Sequence, residues 1–313
     1  MNTSFWKNKR VVVTGGAGFI GSHVVEKLVQ AHARVLVLDD LSNGSLSNLS
    51  NVKNQIEFVS GDAKNIEICL KEFKNQDILL NLVAKVGGIE YNRNHQAEMF
   101  YNNTLLELIP MEAARMSNVK KALIVSSACV YPRNASIPTP ESEGFRGEPE
   151  PTNSGYGWAK RMGEVASLLY SNQYGIQTGV VRPYNCYGPR DHFEEEKSHV
   201  IPALIRRVLS GEDPIIVWGS GNQTRSFLYV DDLARGIIIA AQHLPFSEPV
   251  NLGSTEEITM KELVTLIKKL SNSNSQVKMD TTKPDGSPRR VSDNNLAEKL
   301  FGFKPNISLE EGL

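Results

Sequence analysis

Short runs of β-branched and aliphatic residues alternate with longer amphipathic segments in the first half of the chain. The runs have the length of buried strands, and the longer segments have the apolar period of helices. The predicted strands are Arg10 to Thr14, Arg34 to Leu38, Ile56 to Val59, Ile78 to Leu82, Ala122 to Ser126 and Gln177 to Arg182. The predicted helices lie around residues 18–30, 96–117 and 157–174. This alternation predicts an α/β fold built on a doubly wound parallel sheet.

The alternation breaks after Pro183 into shorter pieces separated by turns rich in Gly, Asn, Ser and Pro. We therefore predict a second, smaller domain of mixed α/β structure. The expected boundaries are 1–185 plus about 226–247 for the Rossmann-type domain, and 186–225 plus 248–313 for the smaller domain. Residues 307–313 have the pattern of a helix start, as if a further element were cut short.

Composition narrows the class of protein. The 313 residues carry a formal net charge of −1, with 40% hydrophobic and 22% charged residues, which fits a globular chain with a sizeable core and argues against nucleic-acid binding. No apolar run approaches the roughly 20 residues of a membrane helix. Cys69, Cys129 and Cys186 are too few for a disulfide framework, and no Cys/His pair has zinc spacing. We expect a cytoplasmic protein with reduced thiols, no structural metal and no membrane partner.

A glycine-rich turn follows the first predicted strand. Gly15, Gly18 and Gly21 lie between that strand and an amphipathic helix, where a tight turn and a close approach to a pyrophosphate exclude side chains. Phe19 and Ile20 begin the helix and join the predicted cofactor site. The pattern indicates a dinucleotide at this helix N-terminus.

The next two strands end in carboxylates. Asp39 and Asp40 lie at the distance where a carboxylate accepts hydrogen bonds from both hydroxyls of an adenosine ribose, and a second Asp repels a 2′-phosphate. NAD is therefore favoured over NADP. Asp62, after the third strand, is a candidate contact for adenine. The alternative is that these residues only form turns.

Tyr156 and Lys160 are four residues apart and share a helix face. A lysine ammonium close to a phenol lowers the pKa of the phenol toward neutrality and makes it a proton acceptor for a sugar hydroxyl. The Tyr-x-x-x-Lys pattern alone is common on surfaces, but here it accompanies the glycine turn and Ser127 at a strand end. The combination favours an acid/base role for Tyr156 and Lys160 over a structural one.

With these motifs and the segments at 182–189, 224–232 and 288–295, the chain resembles the extended short-chain dehydrogenase/reductases that act on nucleotide sugars, the NAD-dependent epimerase/dehydratase group. The segments 84–89 and 197–207 look like GDP-fucose synthases. Those at 101–104 and 111–115 look like GDP-mannose 3,5-epimerases.

The resemblance implies a role for Cys129, which stands with Ala128 where 4,6-dehydratases carry an acidic pair, so dehydration is not expected. In both groups of relatives a cysteine occupies this position, and a second acid/base group, His or Lys, occupies the position of His199. A thiol and an imidazole both exchange protons near neutral pH. The alternatives are a core role for Cys129 and a capping role for His199. Lys197 is a rival for the same chemistry.

The resemblance also implies residues for the sugar diphosphate and a homodimer through the helices near 96–117 and 157–174. The implied substrate-binding residues are Gly87, Gly88, Asn185, Lys197, Arg225 and Arg290, with Arg289 an equal candidate to Arg290.

We therefore expect an NAD-dependent epimerase of a nucleotide-activated hexose that oxidises C4 transiently and exchanges protons at C3 and/or C5, and the resemblance implies a GDP-linked hexose. The alternatives are a GDP-4-keto-6-deoxy-hexose epimerase-reductase, a UDP-hexose 4-epimerase, and a non-catalytic nucleotide-binding subunit.

Overall fold

The computed structural model describes residues 3–194, 198–283 and 288–313, and a seven-stranded parallel sheet forms its centre. The strands are β1 (Arg10–Thr14), β2 (Arg34–Asp39), β3 (Ile56–Ser60), β4 (Ile78–Asn81), β5 (Lys121–Val125), β6 (Gln177–Pro183) and β11 (Val250–Leu252). They lie in the order β11-β6-β5-β4-β1-β2-β3. The order runs in both directions from β1 and β4, which confirms the predicted doubly wound, Rossmann-type fold.

Helices cover both faces of this sheet. The α-helices of the described residues, in both layers of the molecule, are α1 (Thr3–Trp6), α2 (Phe19–Gln30), α3 (Ile66–Glu72), α4 (Ile89–Asn94), α5 (Gln96–Met116), α6 (Ser154–Tyr174), α7 (Val200–Leu209), α8 (Val230–Gln242), α9 (Met260–Leu270), α10 (Asn295–Phe301) and α11 (Leu309–Gly312). Alternate side chains of β1 enter opposite cores: Val11 and Val13 pack on the side of α2 and α8, and Val12 packs on the side of α3 and α5. Both faces are apolar because both are covered.

A smaller layer follows the large sheet. Its strands are β7 (Cys186–Tyr187), β8 (Ile215–Trp218), β9 (Thr224–Ser226), β10 (Leu228–Tyr229), β12 (Glu257–Thr259), β13 (Val277–Asp280) and β14 (Arg289–Arg290). They pair as β10-β7, β12-β9-β14 and β13-β8. The amphipathic helices α7 and α9 cover an apolar core that includes Ile215 and Leu263.

The predicted strands and long helices all form, with shifts of one to three residues at their ends. Part of the segment predicted for the smaller domain belongs to the large sheet instead. Residues 250–252, placed in that domain from the sequence, pair with β6 in the large sheet. A three-residue strand carries too little periodicity to be recognised. The predicted helix start near the end of the chain is α11.

Candidate active site

Tyr156 and Lys160 lie on the first turns of α6, against the end of β5. Lys160 is buried, and its Nζ donates to the Val125 carbonyl at 2.9 Å and to Glu107 Oε1 at 2.5 Å. The same ammonium lies 5.7 Å from the centre of the Tyr156 ring. Lys160 is therefore held beneath the phenol by two acceptors.

The pKa of Tyr156 differs from the sequence-based expectation. Burial raises the pKa of the phenol more than the charge of Lys160 lowers it, and Cys129 and Glu107 raise it further. The expected net lowering was wrong for the protein alone, because burial of the phenol outweighs the positive charge of Lys160. Burial also lowers the pKa of Lys160, but Glu107 and Tyr156 outweigh burial and the net shift is upward.

A tight turn after β5 brings Ser127 and Cys129 to the phenol. The Ser127 hydroxyl accepts the backbone N–H of Cys129 at 3.2 Å and hydrogen-bonds Tyr156. Cys129 is half-buried and close enough to Tyr156 to affect the phenol's pKa. Gly157 permits this approach, because a Cβ there would lie 2.6 Å from the Cys129 carbonyl oxygen. Ser127, Cys129, Tyr156 and Lys160 thus form one cluster.

The sequence did not reveal a buried polar chain beneath this cluster. Glu107 on α5 accepts from Lys160 and from Asn81 Nδ2, which lies 3.3 Å from its second oxygen. Asn81 Oδ1 in turn accepts the Thr14 hydroxyl at 2.6 Å. Gly163 leaves the space for Glu107, since a Cβ there would lie 2.6 Å from its carboxylate. The available signal was a pair of polar residues ending the neighbouring strands β1 and β4.

The glycine turn has the shape that a dinucleotide needs. Gly15 has φ 70°, and a Cβ at Gly21 would lie 2.1 Å from the Gly15 carbonyl oxygen. Gly18 is the N-cap of the 12-residue helix α2 and provides no side-chain cap for the first N–H groups. Phe19 and Ile20 follow as its first residues. Exposed N–H groups at a helix N-terminus fit a pyrophosphate.

Asp39 connects this turn to the end of β2. Its two carboxylate oxygens accept the backbone N–H groups of Ala17 and Leu41 at 2.9 and 2.8 Å. Burial raises the pKa of Asp39 more than these bonds lower it. Asp40 and Asp62 each accept a backbone N–H two residues on. All three carboxylates thus form turns, and their predicted contacts with an adenosine remain compatible with that geometry, because a carboxylate has about four acceptor positions.

His199 lies on a different segment, as the N-cap residue of α7. Its Nδ1 lies 3.5 Å from Oδ1 of the buried Asp191, and its side chain is 60% exposed. The hydrogen bond to Asp191, together with the charge of that carboxylate, raises the pKa of His199. The described contacts of His199 are with Asp191 rather than with Cys129. Lys197 lies outside the described residues.

Two arginines lie side by side on paired strands of the smaller layer. Arg225 and Arg290 are paired neighbours on β9 and β14. Burial, and then the charge of Arg290, lowers the pKa of Arg225 to about 10. Arg289 is instead engaged with Glu257 through two bonds of 2.8 and 2.5 Å. Two like charges held together favour an anionic ligand.

Arg289, Arg290 and Ala128 line one small cavity, so Arg290 lies near the turn after β5. Asn185 lies on the approach to β7 and donates to the Ser226 carbonyl at 3.0 Å. Gly87 and Gly88 immediately precede α4, and Gly88 is the N-cap residue of this helix.

The sequence of the chain matches one family model over residues 11–253, described as the NAD dependent epimerase/dehydratase family. The chain belongs to this family. Within it, the chain is 34% identical to a probable GDP-L-fucose synthase of Oryza sativa subsp. japonica, over 98% of this chain and 90% of that one. It is 30% identical to a GDP-mannose 3,5-epimerase of Arabidopsis thaliana, over 99% of this chain and 82% of that one.

Solved structures of this epimerase/dehydratase family share the fold. The UDP-glucose 4-epimerase of Thermotoga maritima, determined with UDP-glucose, superposes with a TM-score of 0.87 at 29% identity, covering 97% of this chain and 96% of that one. A dTDP-glucose 4,6-dehydratase of Streptomyces venezuelae with NAD bound gives 0.86 at 27% identity, covering 97% and 94%. The chain is therefore an enzyme of the NAD-dependent nucleotide-sugar epimerase type.

Two searches of the described residues were negative. No helix among them is both long enough and apolar enough to cross a bilayer. The same residues contain no cluster of three or more His, Cys, Asp or Glu side chains arranged to hold a metal ion.

Proposed function

We propose that this enzyme epimerises a GDP-linked hexose by transient oxidation at C4 and proton exchange at C5 and/or C3. The observation that carries the proposal is the cluster of Ser127, Cys129, Tyr156 and Lys160. Ser127, Tyr156 and Lys160 serve the oxidation and reduction at C4. The thiol of Cys129 adds a second acid/base group, which chemistry at C4 alone does not need. The relatives at 30–36% identity named for GDP sugars support the GDP-linked substrate.

The proposed roles follow from the contacts. Tyr156 takes the proton of the C4 hydroxyl and later returns it, while Lys160 and Ser127 stabilise the phenolate. When bound, NAD supplies the hydride acceptor for C4 and a positive charge that adds to that of Lys160. The C4 ketone makes the neighbouring C–H bonds acidic. The Cys129 thiolate removes a proton from one face, and the His199 imidazolium, whose pKa is raised by Asp191, returns one to the other face.

Arg225 and Arg290 would hold the diphosphate, and Asn185, Gly87 and Gly88 would border the sugar. Planar guanidinium groups bind phosphate through paired hydrogen bonds. The engagement of Arg289 with Glu257 supports Arg290 rather than Arg289 for this role. Lys197 is kept as a candidate on sequence grounds alone.

NAD rather than NADP is proposed because Asp39 and Asp40 end β2 beside the glycine turn. A 2′-phosphate placed there meets two carboxylates. The three cysteines are free thiols, which supports a reducing compartment such as the cytoplasm.

A second candidate is the epimerase-reductase that acts on a GDP-4-keto-6-deoxy-hexose, favoured by the identity to GDP-L-fucose synthases over 98% of the chain. The two functions differ in cofactor use. Incubation with GDP-mannose and no added dinucleotide should yield epimers, since the hydride returns to C4. Turnover only of a 4-keto-6-deoxy sugar, with one reduced dinucleotide consumed per product, would establish the reductase.

Asp191→Asn tests the proposed role of His199. The substitution removes the carboxylate that raises the pKa of His199, so the imidazolium persists only to a lower pH. We expect the high-pH decline of the exchange rate to move to lower pH, measured from pH profiles of deuterium uptake. Glu310→Gln, at an exposed carboxylate paired with Lys269, is the control and should leave the profile unchanged. An unchanged profile in Asp191→Asn would remove His199 from the mechanism.

We further propose a homodimer through α5 and α6. Both helices expose large apolar side chains, and those on α6 recur at helical spacing on one face. The exposed side chains are Phe100 (42%), Tyr101 (64%), Val165 (37%), Leu168 (51%) and Leu169 (56%). Exposed apolar stripes of this kind mark protein interfaces.

Leu169→Glu should convert the dimer to a monomer. A carboxylate introduced in each copy would be buried without a partner, and we expect the dissociation constant to rise by about hundredfold or more. Light scattering after size exclusion measures the change. Leu300→Glu, on α10 and 39% exposed, is the matched control. If Leu169→Glu stays dimeric, the interface lies elsewhere.

A further inference from the structure

One amide is held against the sulfur of Cys129. Nδ2 of Asn153 lies 3.7 Å from Cys129 Sγ, within hydrogen-bonding distance for sulfur. Asn153 immediately precedes α6, the helix that carries Tyr156 and Lys160. One segment of chain therefore places the phenol, the ammonium and this amide around the same turn.

Asn92 on α4 orients that amide. Its Nδ2 donates to Asn153 Oδ1 at 3.0 Å, which occupies the carbonyl end of the Asn153 amide and turns its NH₂ end toward the sulfur. Asn92 is 9% exposed. Gly87 makes room for this arrangement, because a Cβ there would lie 2.6 Å from the Tyr91 ring and 3.2 Å from Asn92 Oδ1.

The backbone on both sides of Asn153 is also fixed. Gln96 at the start of α5 donates to the carbonyl oxygens of Pro151 and Thr152 at 3.3 and 3.1 Å. Its Oε1 accepts the N–H of Gly155 at 2.6 Å. The backbone of Asn153 therefore cannot move away from Cys129 without breaking these bonds.

We propose that Asn153, oriented by Asn92, is a positioning residue that stabilises the Cys129 thiolate for proton removal from the sugar. The inference rests on the proposed role of Cys129 as the base. In that step the proton passes from the sugar carbon to Sγ, and the C–H electron pair becomes part of an enolate whose charge lies on the C4 oxygen. A hydrogen bond to sulfur is strongest while the sulfur is charged. The amide therefore stabilises the Cys129 thiolate, the form that accepts the proton, relative to the neutral thiol.

The reverse orientation of the amide has the opposite consequence. If Asn153 Oδ1 faced the sulfur, it would accept the S–H hydrogen and favour the neutral thiol. Asn153→Ala separates the two arrangements. In the proposed arrangement it removes a donor from the thiolate and slows reactions of the thiol, whereas in the reverse one it removes an acceptor from the S–H group and speeds them.

The first test measures the thiol and needs no substrate. The rate of alkylation of Cys129 by iodoacetamide is followed at neutral pH by mass spectrometry of its peptide. We expect Asn153→Asp to slow it by about tenfold or more and Asn153→Ala to slow it less, since a hydrogen bond to a charged group is lost. Loosening of the fold would speed alkylation, so slowing is not a structural effect. Alkylation of Asn153→Ala at the rate of the unaltered enzyme, or faster, overturns the proposal.

Asn92→Asp provides a second variant in case Asn153→Asp does not fold. It removes the donor to Asn153 Oδ1 and should slow alkylation in the same direction. Asn295→Asp makes the same chemical change at an exposed position on α10 and should have no effect.

The second test uses the reaction. Asn153→Asp should lower deuterium uptake at the sugar carbon by about tenfold or more while C4 oxidation is unchanged. Equal losses of both would give Asn153 a structural role only. If the unaltered enzyme exchanges no sugar proton, the proposed function fails. The alkylation rates still show whether Asn153 stabilises the Cys129 thiolate.

Discussion

Lys160→Met lowers the free energy of unfolding by about 3–5 kcal/mol, in addition to abolishing turnover, because it leaves a buried carboxylate without its partner. Glu107 and Lys160 have side chains that are 1% and 2% exposed, and their ion pair spans 2.5 Å. Without the ammonium, Glu107 either keeps an unpaired charge or takes up a proton. Urea unfolding followed by circular dichroism measures the loss.

The double variant Lys160→Met/Glu107→Gln separates the two effects. A glutamine keeps the shape of Glu107 and accepts from Asn81 without a charge, so most of the lost stability should return. Activity should stay absent, since Tyr156 still lacks its neighbouring ammonium. If the single variant is as stable as the unaltered enzyme, the pair does not stabilise the fold in the way described.

Cys129→Ser stops proton exchange at the sugar while leaving C4 oxidation in place. A hydroxyl is a far weaker base than a thiolate, and loss of a positioned general base costs about 10²–10⁴-fold in rate. The phenol and its lysine are not altered. Deuterium uptake measures the exchange, and the near-ultraviolet absorbance change that accompanies C4 oxidation measures the other step.

Cys69→Ser is the matched control for this variant. Cys69 is a buried thiol that donates to the Ala63 carbonyl at 3.3 Å, a bond that a serine hydroxyl also makes. It should exchange protons at the rate of the unaltered enzyme. Continued exchange in Cys129→Ser would make Cys129 a packing residue and would assign proton removal at the sugar to another group.

The sheet and the dinucleotide end could be predicted because their signals are local. Each strand is a short apolar run, and Gly15, Gly18 and Gly21 are required by the backbone itself. The missed strand β11 has only three residues and gains its place by pairing with β6. It forms a strand because of this contact between distant parts of the chain, which its local sequence does not show.

The support of the active site could not be predicted, because it joins residues far apart in sequence. Glu107 meets Lys160 across two helices, and Asn92 reaches Cys129 only through Asn153. The error in the pKa of Tyr156 has the same origin. A lysine four residues away lowers the pKa of a phenol, but the sequence does not show the burial of the phenol, which raises its pKa more, or the nearby carboxylate of Glu107.

The most direct test of the proposed epimerase is to incubate the purified enzyme with GDP-mannose in D₂O, with no added dinucleotide, and to follow the sugar by NMR. The account predicts deuterium at C5 or C3 and epimerised sugar, with the hydrogen at C4 retained. Inversion at C4 without deuterium at either neighbouring carbon, or no reaction of this sugar, would contradict it.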